Sequence, residues 1–287
     1  MPGGTWRDGV QGGRLSSRPT RSEPQASEGG PPHELAAGEY GPTSRALLGL
    51  ATAATPALAA LDLAGWLPSL RAADTAPALL GLVLGALAAD LVTGGVHWAC
   101  DTWGDERTRW VGAGLIRSFR EHHRDPRAML EHDWIEVNGQ PAAAASAAFG
   151  LLSLPAARDW VGDHAFVHAF LWSLFGVAAL ANQLHQWSHA PAPPRWVRRL
   201  QHSGVILSPA RHARHHRPPH TGDYCITGGW LNTALDAAGF WRALERAVTR
   251  VTGAAPRGES TTRGASLDGE PLSSAANALP KRRQSRR

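Results

Sequence analysis

The chain has 287 residues, room for one or two domains, and carries 29 Lys+Arg against 24 Asp+Glu for a formal net charge of +5, with almost every basic residue an arginine. That balance suits nucleic acid, an anionic membrane surface, or the cytoplasmic loops of a membrane protein. Two cysteines, Cys100 and Cys225, outside any C-x-x-C spacing, exclude a disulfide framework and argue against a thiolate metal site, whereas 14 His and 12 Trp are an unusual load.

Residues 1–44 are rich in Gly, Pro, Ser and Arg and are expected to be a disordered arm; they lack the apolar core and small-residue cleavage site of a signal peptide. Four apolar runs follow. The first, about 46–70, contains Pro56 and Asp62 and is a modest candidate for a membrane span. The second, about 76–98, has the ~20-residue length that a bilayer core demands. It is rich in small residues suited to close helix packing, and it contains Asp90 and, near its end, His97. An ionisable group in such a run is a functional candidate by default.

Residues 99–140 are polar and carry Asp101 and FREHHRDP. The third run, 141–157, is short and Ala-rich, either a span or a re-entrant helix; the fourth, 165–187, ends in NQLHQWSH. A Pro/Arg-rich stretch then leads to RHARHH, GDYCITGGWLN and GFWRALERAVTRV. The last has the pattern of an amphipathic helix, to lie on the membrane or on the protein. Residues 253–287 are again polar and expected to be disordered, which leaves 45–252 as the folded domain. The expected fold is all-α, a membrane bundle of about four spans with a histidine-rich cap.

Arginine sets the orientation. The N-terminal arm and the segments 107–127 and 195–217 are Arg-rich, while the connections near Arg71 and Arg158 carry little. The positive-inside rule then puts both termini and the central loop in the cytoplasm. The same assignment, made without histidine, brings His97, His122, His123, His185, His189, His212, His215 and His216 to one face. His164 and His168 fall at the other end of the fourth run, with His168 ~25 Å from His185 at the helical rise.

His185 and His189 are four apart and share a helix face, and the H-x-x-H-H run adds further nitrogens. Imidazole suits iron, zinc, copper or nickel. Eight imidazoles are too many for one ion, since a closed zinc site uses four ligands, and fit two ions that each keep open positions. Asp101, one turn after His97, is either a ligand or a partner that orients an imidazole, and Asp90 is a second candidate for the orienting part.

These motifs resemble the plasmanylethanolamine desaturases, the CarF- or Kua-type membrane lipid desaturases. The matching stretches are TGGVHWACDTWGDE, FREHHRDP followed by HDWIEVNG, NQLHQWSH, PRWVRRLQ, RHARHH, and YCITGGWLN with GFWRALE, in order over residues ~90 to ~250. The resemblance extends to plastid fatty acid desaturases, which share the histidine pattern without counterparts of His132 and His220, so those two are left out of the metal ligands. Residues 202–211 depart from the animal members, and His202 is not carried over.

What the resemblance implies is an O2-dependent desaturase with two non-haem irons on the eight histidines. It would remove two hydrogens from the sn-1 alkyl chain of an ether phospholipid to give a plasmalogen. Two electrons would come from a small external donor, cytochrome b5 or a ferredoxin. The Arg/Ala/Gly-rich composition points to a high-GC bacterium and so to its inner membrane. The alternatives are a desaturase or hydroxylase of phospholipid acyl chains and, from another class, a non-catalytic metal sensor or membrane adaptor. A zinc hydrolase lacks its H-E-x-x-H helix. Nucleic-acid binding is excluded because arginine follows the expected cytoplasmic segments rather than one groove-sized patch.

Overall fold

A computed structural model describes residues 40–257, positions 110 and 163 excepted. Most of the two arms expected to be disordered lies outside the described residues. The described chain is helical, with no strand among the described residues. Two stretches are long and apolar enough to cross a membrane, Pro42–Ser69 and Ala72–Thr102, or three if the helices Pro155–Gly162 and Ala165–Ala179 form one broken span. Helices of this length and apolarity make the protein an integral membrane protein.

The first helix, α1 (Pro42–Trp66), starts with proline at the position where a missing N–H costs nothing. It buries only Asp62 and Trp66 and exposes Leu47, Leu50 and Leu61, a face suited to lipid. The next long helix, α2 (Thr75–Thr102), buries Gly81 and Gly85. A Cβ on Gly81 would lie 2.3 Å from the Phe166 carbonyl oxygen, and one on Gly85 equally close to that of Phe170. Glycine four residues apart therefore lets α2 and α6 (Ala165–Ala179) touch backbone to backbone. Ser173 donates to the Leu82 carbonyl across the same contact, at 2.8 Å.

A short α3 (Arg117–Arg124) follows a π-helical turn over Gly112–Ile116. The third apolar run was expected to begin at Pro141, but α4 (Trp134–Leu152) starts seven residues earlier, with Pro141 inside it. Two features account for this. Asp133 accepts from the Ile135 and Glu136 N–H groups while Glu136 reaches back, a reciprocal capping box that fixes the start. Proline deprives the Val137 carbonyl of its helical donor, and the Asn182 side-chain amide supplies one at 2.8 Å. Arg45 pairs with Asp133 and, at 3.1 Å, with Glu136, tying α1 to α4.

The fourth run was expected to be one helix and is two. After α5 (Pro155–Gly162) come α6 and then α7 (Ala181–His189), with a break at Leu180, whose N–H closes a tight turn onto Val177 and Ala178. The break leaves α7 joined to α4 through Asn182. Next are α8 (Arg195–His202) and α9 (Pro209–His215), the latter capped by Ser208, and then α10 (Asn232–Ala237). The amphipathic α11 (Phe240–Thr252) lies on the protein: Trp241 is buried, with ring centroids 5.7 Å from Trp98 and 5.3 Å from Tyr224.

Candidate metal centre

Helical spacing puts the His185 and His189 rings of α7 side by side, and the same spacing does so for His212 of α9 and His216 just after it. The two pairs meet nitrogen to nitrogen. His212 Nε2 lies 2.8 Å from His185 Nε2, 2.9 Å from His189 Nε2 and 2.9 Å from His216 Nε2. His122 stands against this set, its ring 4.8 Å from His185 and 5.1 Å from His216. A second set gathers at the end of α2. The His97 and His215 rings are 4.3 Å apart, and His215 Nε2 is 3.1 Å from His123 Nε2. The Asp101 Oδ2 atom faces all three, at 3.4 Å from His97, 3.1 Å from His123 and 3.6 Å from His215.

One group of close donor atoms is thus His122, His185, His189, His212 and His216, and the other is His97, His122, His123 and His215. Every histidine singled out from the sequence falls in one of them. His122 belongs to both, and since a neutral imidazole offers one lone pair it can serve one ion only.

The donor set fits metal ions. His97 Nε2 and His122 Nε2 are buried without a hydrogen-bond partner, an expensive state unless something accepts their lone pairs. The other ring nitrogen is fixed in two cases. His97 Nδ1–H donates to the Tyr224 carbonyl at 3.1 Å and His215 Nδ1–H to the Gly222 carbonyl at 2.8 Å, which leaves each Nε2 lone pair facing the cluster. Burial, reinforced by neighbouring imidazoles, holds His122 and His212 well below the usual histidine range. Burial first and then neighbours also lower His216 to about 3; His215 is pushed to about 3 by burial, against its bond to Gly222. Neutral rings are what a metal requires.

The remaining described histidines have other partners. His132 Nδ1 sits 3.2 Å from Glu136 at the capping box, and His202 Nδ1 bonds the Arg198 carbonyl on an exposed helix end. His164 bonds the Trp160 carbonyl, and His168 lies between Asp62, at 2.8 Å, and the stacked Trp66 ring. His220 stands outside both groups yet touches one, its Nδ1 3.2 Å from His123 Nδ1. Asp90 makes no contact with a histidine and anchors a loop instead: its Oδ1 accepts from the N–H groups of Thr227, Gly228 and Gly229 and from the Thr227 hydroxyl.

Sequence reasoning missed Tyr224, Gly222 and Arg120. The first two act through backbone carbonyls. Arg120 is buried and donates to the carbonyls of Cys100, Trp103 and Gly104, holding the end of α2 against α3. The GDYCITGGWLN motif was noticed, but nothing in it says which carbonyl accepts.

The fold and site define a helical membrane protein whose buried and half-buried imidazoles meet in two adjoining groups that could hold metal ions. Residues 86–259 match the model of the lipid desaturase domain, and the chain belongs to that family. It is 42% identical over 189 residues to plasmanylethanolamine desaturase 1 of Mus musculus, covering 63% of this chain and 68% of the relative. It is 40% identical to the plasmanylethanolamine desaturase of Myxococcus xanthus, covering 62% and 63%. It is 35% identical to the chloroplastic fatty acid desaturase 4 of Arabidopsis thaliana, covering 63% and 54%. No solved structure matches. Desaturases are oxidoreductases, and the chain is an enzyme of that class.

Proposed function

We propose that this protein converts plasmanyl phospholipid to plasmalogen, introducing the vinyl ether double bond into the sn-1 alkyl chain. The balance is one alkyl ether, one O2, two electrons and two protons in, and one vinyl ether and two water molecules out. Two non-haem irons, when bound, would supply oxygen activation and hydrogen removal. His185, His189, His212 and His216 would hold one, and His97, His123 and His215 the other, with His122 joining either and Asp101 as a further oxygen ligand. Tyr224 and Gly222 keep His97 and His215 in the ligating tautomer. Phe119, buried beside His97 at 4.8 Å, would keep water from that side of the ligands.

In this reading residues 45–252 form the catalytic domain. Four spans, built from α1, α2, α4 and α5–α7, place both termini and the histidine cap on the cytoplasmic face of a bacterial inner membrane. A small electron-transfer protein of the cytochrome b5 or ferredoxin type docks there.

The observation that carries the proposal is the meeting of eight imidazoles in two groups within a chain 40–42% identical to two plasmanylethanolamine desaturases. The test is expression in a host that makes alkyl ether lipids but no plasmalogens, with acid-labile vinyl ether as the readout. A double bond gained in an ester-linked acyl chain would point to the chloroplastic relative's chemistry instead, and neither product would end the proposal.

A further inference from the structure

We propose that a cavity beside the second histidine group is the binding site for the phospholipid headgroup, phosphate on arginine and ammonium on glutamate. The inference deepens the function proposed above and rests on it. A double bond placed next to the ether oxygen forms only a few covalent bonds from glycerol and phosphate. The headgroup must therefore be accommodated immediately beside the metal ligands, and an enzyme of this kind needs a polar pocket there.

The structure has one in the right place. A cavity of about 1060 Å³ is lined at one end by Asp101 and His123 and further out by Arg107, Arg124, Glu245 and Arg257. Its volume is at the upper end of the ~300–1,000 Å³ usual for small-molecule sites, enough for a headgroup with its glycerol. Its charges are of both signs, and three of them are uncommitted. Arg124 pairs with Glu106 at 3.3 Å on the exposed rim. Among the described residues the side chains of Arg107, Arg257 and Glu245 have neither an ion-pair nor a hydrogen-bond partner. Guanidinium forks suit phosphate oxygens, and a half-buried carboxylate suits an ammonium. A zwitterion with a primary amine meets both.

An anionic partner protein would meet the carboxylates of this cavity as repulsion. A purely acidic headgroup would leave Glu245 unpaired.

The test uses the full chain in detergent. A short-chain ether phosphoethanolamine lipid is titrated calorimetrically against wild type, Arg107→Glu, Arg257→Glu and Glu245→Gln. Arg107 and Arg257 are exposed, so their replacement leaves folding intact. The expected result is a Kd raised at least fivefold by each arginine change. Glu245→Gln should weaken the ethanolamine lipid at least threefold and a plasmanic acid analogue less than half as much. In turnover the arginine changes should raise KM for lipid, with kcat moving less than twofold. A lipid Kd and KM unchanged by all three substitutions overturns the assignment, whether inhibition by inorganic phosphate or the dependence on electron donor moves in their place. If wild type forms only an acyl double bond, the ether reading fails by itself. The same lipid titration then still decides the cavity.

Discussion

The carboxylate of Asp90, buried in the second helix, is the cap of a loop more than a hundred residues away: it takes the Thr227 N–H at 3.2 Å and the Thr227 hydroxyl at 2.7 Å. Gly228 and Gly229 add their N–H groups, each at 3.0 Å. The same loop begins at Tyr224, whose carbonyl orients His97. Gly94 lets it pass, since a Cβ there would meet the Cys225 sulfur at 2.8 Å. Asp90→Ala leaves several buried N–H groups unpaired, a loss of about 2–4 kcal/mol. The variant should melt several degrees lower and retain less than half its metal. A melting curve and metal content equal to wild type would remove Asp90 from this part.

Replacement of a cluster histidine should separate the two groups. His185→Ala should reduce bound iron from about two ions per chain toward one and abolish turnover. His215→Ala should do the same from the other side. His220→Ala touches no ion directly but releases His123, and partners of this kind typically tune metal affinity ~10–100-fold. It should therefore load at high iron and lose metal on dilution. Iron analysis of purified protein, with activity beside it, distinguishes these outcomes, and full activity in His185→Ala would sink the assignment.

The lowered imidazoles make the metal-free protein sensitive to acid. Burial holds His215 and His216 at about 3 when folded, against the ordinary 6.5 when unfolded. Below 6.5 the unfolded chain therefore binds more protons than the folded one. Stability is complete above about 6.5 and falls as pH drops through the window to about 3. Thermal melts of metal-free protein at pH 7.5, 6 and 4.5 should show a steady decline, at least as steep for the iron-loaded protein, whose ligating nitrogens take up protons only once the metal has left. Identical melting temperatures at pH 7.5 and 4.5 would contradict the burial that lowers these groups.

The histidine groups were legible because their residues carry the signal themselves. His185 and His189 are one helical turn apart, as are His212 and His216, and imidazole has few other reasons to gather. The acceptors that orient them were not legible, because Tyr224 and Gly222 contribute carbonyls that every residue has. The glycines of the second helix announced close packing, but not that α6 was the partner. Two helix boundaries were misread for a related reason. Pro141 reads as a start only if nothing can replace its lost hydrogen bond, and the donor, Asn182, lies 45 positions from the Val137 carbonyl it serves, near the break at Leu180 that the apolar pattern runs straight through.

That long-range repair can be tested by a double-mutant cycle. Asn182→Ala removes the amide that serves the Val137 carbonyl, which would otherwise be left inside the α4–α7 contact without a donor. The expected loss is about 1–3 kcal/mol. Pro141→Ala alone restores a backbone N–H at the position whose helical acceptor is the same carbonyl, which then has two donors available and gains little. In the double variant the restored N–H takes the place of the amide, so much of the loss should be recovered. The coupling energy would be about 1 kcal/mol, within the range found for groups that share a partner. Additive single effects, measured by denaturant or thermal melts in one detergent, would mean that the Val137 carbonyl is satisfied some other way.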